Sequence, residues 1–115
     1  MKKPSPAQIK TTIVKILKDN KAMNVQALKI SELTDFADYI VIATANSNTH
    51  AKALANKIYD KLALLKIKPI GIEGEETREW ILVDFGDVIV HIMLENIRQF
   101  YNLEKLWGLG KIKPK

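Results

Sequence analysis

Apolar positions recur first at helical spacing and then at strand spacing along this chain. Ile9, Ile13, Ile16 and Leu17 form one face of a helix, with Lys10, Lys15 and Lys18 on the other side. Ser5 can cap that helix, Pro6 suits its first position, and Gln8 completes a Ser-x-x-Gln capping box. Asn20 is a reasonable stop. Met23 to Ile30 then reads as a strand, with Val25, Leu28 and Ile30 apolar. Leu33–Phe36 is a connector. The nearly unbroken apolar run Ala37–Ala43 predicts a second strand at the centre of a sheet. Thr44–Thr49 is a polar turn rich in N-cap formers, and it leads into a long helix lined by Ala51, Leu54, Ala55, Ile58, Leu62 and Leu65. Pro69–Glu73 predicts a short strand at an edge or an end, because proline cannot donate to a ladder. Strand, turn, helix and strand make a crossover unit, which normally joins parallel neighbours.

The strongest local signal lies further on, in Trp80–His91. Two apolar runs, Trp80–Val83 and Val88–Val90, flank Asp84-Phe85-Gly86-Asp87. Branched Val and Ile favour extended backbone, and the Asp-x-Gly-Asp segment tolerates a reversal, so the stretch predicts a β-hairpin. Its arms are apolar at almost every position, as in strands covered on both faces. Glu95 to Trp107 is helical by its spacing, and Gly108 supplies a stop. The elements sum to an α/β fold: a mixed five-stranded sheet flanked by helices on its faces. They fit one domain over residues 5–107, with residues 1–4 and 108–115 as mobile basic tails.

Composition narrows the setting. At 115 residues the chain can bury roughly two thirds of its unfolded surface. It has no cysteine, which rules out disulfides and thiolate metal sites and fits a reducing compartment. No apolar run has signal-peptide or membrane-span length, so the expectation is a cytoplasmic protein without membrane contact.

The net charge of +5 resides in Lys2, Lys3, Lys111, Lys113 and Lys115, leaving residues 4–110 neutral. Within that neutral body the charges separate. Glu73, Glu75, Glu76, Glu79, Asp84, Asp87 and Glu95 face Arg78 alone, whereas residues 10–68 hold ten lysines against five acids. The hairpin region therefore repels phosphate backbones and suits a basic protein partner. A plain solvated face is the bland alternative.

Candidate chemistry is sparse. Asp84 and Asp87 straddle a turn and can converge on a divalent cation, and the turn before the long helix can receive a phosphate. Together they hint at nucleotidyl transfer. The turn has Ala45 in place of a close-approach glycine, however, and no third carboxylate has ligand spacing. His91 lies in an apolar strand and reads as a structural imidazole bonded to backbone or a carboxylate. His50 reads as a surface or capping-region residue. Neither has triad or metal partners nearby in sequence. The lysines lack interleaved aromatics, which argues against single-strand stacking but leaves contact between the lysine tails and RNA phosphates open. Protein binding fits best, with Trp80 and Phe85 as aromatic anchors inside a charged rim. Phe85 equally suits core packing.

These residues resemble the family of ribosomal silencing factors, also called iojap-like proteins. Trp80, Asp84, Gly86, Asp87 and His91 match its Trp-x-x-x-Asp-x-Gly-Asp-(three apolar)-His signature. Arg98, Tyr101, Leu103, Glu104, Leu106 and Trp107 match its Arg-x-x-Tyr-x-Leu-Glu-x-Leu-Trp ending. Thr34–Tyr39, Asn46-Ser47 and Gly71-x-Glu73-Gly74 also correspond, so the resemblance covers about residues 8–107. Ala45 departs from it, standing where the family usually has Gly.

The resemblance implies a nucleotidyltransferase-like topology and a non-enzymatic role without cofactor or metal. It implies binding to the large ribosomal subunit at its L-fourteen protein, a steric block to small-subunit joining when nutrients fall, and a link to ribosome biogenesis. Carried over by position, Trp80 and Phe85 are the apolar contacts, with Asp84, Gly86 and Asp87 beside them. Self-pairing into a homodimer off the ribosome is left open by the sequence, and a nucleotide- or metal-dependent transferase is the rival reading.

Overall fold

The computed structural model describes residues 4–106. Trp107 and the tails, apart from Pro4, lie outside the described residues. The chain runs α1 (Pro6–Asp19), β1 (Met23–Lys29), β2 (Tyr39–Ala45), α2 (Asn48–Leu64), β3 (Gly71–Glu73), β4 (Trp80–Asp84), β5 (Val88–Leu94), α3 (Glu95–Tyr101) and α4 (Leu103–Leu106). The strands form one five-stranded mixed sheet in the order β1-β2-β5-β4-β3. Only β2 and β5 pair in parallel; the other pairs are antiparallel.

The predicted capping box closes α1. The Gln8 amide N–H donates to Ser5 Oγ at 3.1 Å, and the Ser5 N–H donates to Gln8 Oε1 at 2.8 Å. Ile9, Ile13, Ile16 and Leu17 are the buried stripe of α1, as their spacing requires. Ala51, Leu54, Ala55, Ile58 and Leu62 play the same part on α2. Both stripes meet one face of the sheet, against Val41, Ala43, Ala45, Ile81, Val83, Val88, Val90 and Ile92.

The second face has a smaller core of Ile30, Ala37, Ile40, Ile42 and Met93. Ile97 of α3 and Leu103 of α4 pack there, with Leu28, Trp80 and Ile89 partly buried around it. Helices therefore lie on both faces, but among the described residues the second is covered only in part.

Several boundaries differ from the sequence reading. Strand β2 begins two residues later and runs through Thr44 and Ala45, because β5 continues to Leu94 and supplies a partner for each. At its start, the Asp38 and Tyr39 amides donate to the Asp87 carbonyl at 2.8 and 3.0 Å, so Ala37 leaves the ladder. Ser47, not the end of the polar turn, caps α2 by accepting the His50 N–H. The last helix is two pieces: Asn102 adopts a left-handed conformation with φ 49°, which ends α3 after Tyr101. The β2–α2–β3 crossover does not join neighbours, since β5 and β4 lie between them. A three-residue strand behind Pro69 has too few ladder positions for the centre, and the long apolar β5 takes the place beside β2.

The loop between β3 and β4 turns on Gly74. Its φ is +90°, and an added Cβ would stand 2.0 Å from the Trp80 carbonyl oxygen. Only glycine fits there, on both conformational and steric grounds. Gly74→Ala should therefore destabilise the fold by about 2 kcal/mol or more. Urea unfolding monitored by circular dichroism measures this, and an unchanged midpoint would mean the loop repacks freely.

Candidate docking face

Strand β4 alternates, with Ile81 and Val83 buried under α1 and α2. Trp80, Leu82 and Asp84 consequently share the second, partly covered face. Register places Trp80 opposite Met93, Leu82 opposite His91 and Asp84 opposite Ile89. Glu73 of β3 stands opposite Leu82 from the other side. Leu82, Asp84 and Ile89 are all half-buried, so this quarter of the sheet has an apolar floor with carboxylates at its border.

Trp80 is held from two sides. Its indole N–H donates to His91 Nδ1 at 2.9 Å. Its ring lies 4.8 Å, centroid to centroid, from that of Tyr101 at a tilt of 51°. Tyr101 is 52% exposed, and Phe100, edge-on to it at 5.0 Å, is 79% exposed. The result is a row of three aromatics that starts half-buried and ends in solvent.

An indole nitrogen can only donate, so His91 must present an unprotonated Nδ1. The imidazole is therefore neutral. Burial disfavours its charged form and lowers its pKa from 6.5 to about 4. The sequence suggested a backbone or carboxylate partner for His91, and the partner is the indole.

Helix α3 is anchored by Arg98, which is buried and spans 74 residues of sequence to reach β1. Its Nη1 donates to the Asn24 carbonyl at 2.6 Å and to Thr44 Oγ1 at 2.8 Å. Asn24 has φ 47° and lies in the irregular stretch of the β1–β2 register, so its carbonyl points out of the ladder and toward the guanidinium. Tyr101 stands one turn beyond Arg98, and this anchor sets its position against Trp80.

The structure does not gather the sequence-predicted residues at one point. Trp80 and Asp84 occupy opposite ends of β4 on the same face. Asp84 Oδ1 accepts the Gly86 N–H at 2.8 Å, and Gly86 takes φ +89° to complete the reversal. Asp87 is exposed at the tip, and its carbonyl anchors β2. Phe85 is half-buried and packs against the core on the α1–α2 side. The sequence left Phe85 open between partner and core, and its ring lies on the core side.

Tyr101, Phe100, Leu82 and Ile89 join the face without having been singled out for it. The Arg98-x-x-Tyr101 spacing carried a signal, because residues three apart share a helix face.

His50 is structural in its bonding. Its Nδ1 accepts the Asn46 N–H at 3.0 Å, and its Nε2 lies 2.9 Å from the Asn20 carbonyl. Among the described residues no group of three or more His, Cys, Asp or Glu side chains is placed to hold a metal ion. No helix among them is long and apolar enough to cross a membrane.

Comparison with known proteins gives one consistent result. The sequence profile described as "Ribosomal silencing factor during starvation" matches residues 3–115. The chain is 41% identical over 114 residues to the ribosomal silencing factor RsfS of Chromobacterium violaceum, covering 93% of each. An X-ray crystal structure of a Chromobacterium violaceum protein superposes with a TM-score of 0.90 at 38% identity, covering 97% of this chain and 92% of that one. A mouse protein named for mitochondrial assembly of the ribosomal large subunit is 32% identical over 100 residues, which are 84% of this chain and 44% of that protein.

The His91 geometry has a pH consequence. Its folded pKa lies below its unfolded value, so its contribution is complete above pH 6.5 and is lost as pH falls through about 4. The loss is on the order of 3 kcal/mol. His91→Gln keeps an acceptor for the indole but does not titrate. Urea unfolding between pH 7 and pH 4 should show a shallower decline for this variant than for the wild type, and parallel declines would exclude His91 as the source.

Proposed function

The chain belongs to the family of ribosomal silencing factors, and from that membership we propose that it binds the large ribosomal subunit at its L-fourteen protein. Bound there, it sterically blocks joining of the small subunit and so represses translation under nutrient limitation. The observation that carries this reading is the fixed, half-open Trp80 on a partly uncovered sheet face with an acidic border. An aromatic ring already held by His91 and Tyr101 loses little freedom on docking, which favours it as an interface anchor.

Electrostatics supports the same choice of partner. Glu73 and Asp84 share the face with Trp80, and exposed Glu79 and Glu95 flank its end of the sheet. Ribosomal proteins are basic, so complementary charge favours encounter and register. Trp80 and Asp84 are separated by about 13 Å of strand, well within an ordinary interface. In this reading Trp80, Leu82 and Tyr101 form the contact core, and Asp84 and Asp87 form its rim. Gly86 shapes the tip, and Phe85 supports that tip from inside.

Blocking needs occupancy and bulk, not bond chemistry, so the role proposed is non-enzymatic and takes place in the cytoplasm. The mouse relative's name supports a large-subunit setting, and with it a part in ribosome biogenesis.

Trp80→Ala should weaken binding to isolated large subunits by about 2 kcal/mol or more. Tyr101→Ala, which leaves the Trp80–His91 bond in place, should weaken it in the same direction. Co-sedimentation titrations measure both, with circular dichroism to verify folding, and wild-type affinity in both variants would exclude this face. Asp84→Asn and Asp87→Asn should chiefly slow association and flatten its salt dependence. Stopped-flow measurements at two ionic strengths test this, and unchanged rates would remove the electrostatic component.

A further inference from the structure

The helical layer on the opposite side of the sheet has its own charge character. Residues 6–19 and 48–68, which hold α1, α2 and the turn after α2, carry eight lysines against Asp19 and Asp60. Their neighbours decide which of these lysines are available. Lys52 pairs with Glu75, on the flank of α2 that faces the acidic loop. Lys10 stands 5.3 Å above the Tyr39 ring. Lys15 pairs with Asp19 on the surface of α1, an exposed i,i+4 contact that binds its partners weakly. Lys57 and Lys61 are exposed and have no acidic partner within 4 Å among the described residues.

Lys57 and Lys61 lie one turn apart on the flank of α2 that faces α1. Thr11, Thr12, Lys15 and Asp19 of α1, with its C-cap Asn20, face them across a groove of about 430 Å³ floored by Ile16. The groove therefore offers three ammonium groups and two hydroxyls along its walls against one carboxylate, Asp19, which Lys15 neutralises. None of its lining residues is aromatic. This is a lining for phosphate oxygens, not for stacked bases.

We infer that the α1–α2 groove binds the phosphate backbone of duplex RNA without reading its sequence. Duplex RNA is recognised through its shape, phosphates and 2′-hydroxyls, which suit lysine and threonine walls. The choice of RNA follows from the family's ribosomal setting and does not depend on which surface docks the ribosomal protein. The groove and the Trp80 face lie on opposite sides of the sheet, so both can be occupied at once.

The test uses the full chain and a fluorescein-labelled RNA duplex of arbitrary sequence, followed by anisotropy from 50 to 200 mM salt. The double charge reversal Lys57→Glu/Lys61→Glu should weaken binding tenfold or more and reduce the salt slope by roughly two. A control reversal of equal charge, Lys29→Glu/Lys105→Glu, should change affinity less than twofold. Thermal unfolding verifies that both variants are folded. Equal losses in the two double variants would overturn the groove, because net charge alone would then explain binding. Equal competition by poly-glutamate at matched charge would also overturn it and identify an acidic protein surface as the ligand class. Trp80→Ala should leave RNA affinity unchanged, so this result and the ribosomal docking result fail independently.

Discussion

One hydrogen bond, from the Trp80 indole to His91 Nδ1, fixes the geometry of the open sheet face. It runs diagonally across the β4–β5 ladder, since Trp80 stands opposite Met93 and His91 opposite Leu82. The bond requires a neutral imidazole, and burial enforces that state. It also turns the ring toward Tyr101, which can meet it only if α3 is seated. That seating depends on Arg98, the Asn24 carbonyl and the Thr44 hydroxyl. The half-buried indole is thereby coupled to a buried cation, to an irregularity in β1 and to the end of β2.

The sheet separates two surfaces of unlike chemistry. Helices α1 and α2 seal one face with a large aliphatic core and carry lysines on their outer side. The other face has a small core, a partial helical cover and carboxylates along its border. A five-stranded sheet with unequal covers buries enough apolar area for stability on one side and leaves a shaped surface on the other. The surface lysines contribute little to folding, because isolated exposed pairs are weak.

Much of this architecture was legible in the sequence, and the reasons are local. The α1 stripe and its capping box, the α2 stripe and the hairpin around Asp84–Asp87 each follow from short-range spacing and turn chemistry. The family motifs located Trp80, His91, Arg98 and Tyr101 without saying what they touch within the chain. What could not be read depends on pairings distant in sequence. The extension of β2 through Ala45 requires β5 beside it, and the crossover to β3 passes over a hairpin that comes later in the chain. The Asn102 break is a single left-handed residue inside an otherwise helical spacing. Phe85 illustrates the same limit: a turn aromatic next to two acids suits an anchor and a core residue equally, and only strand alternation with the underlying core sets its side.

Occlusion of the large subunit can be measured by sedimentation of purified ribosomal subunits. Large and small subunits would be mixed under joining conditions with increasing amounts of the protein and resolved on a sucrose gradient. The proposed mechanism predicts that the protein migrates with the large subunit and that the joined-ribosome peak declines as its occupancy rises. An undiminished joined peak at saturating protein, or protein that remains at the top of the gradient, would contradict it.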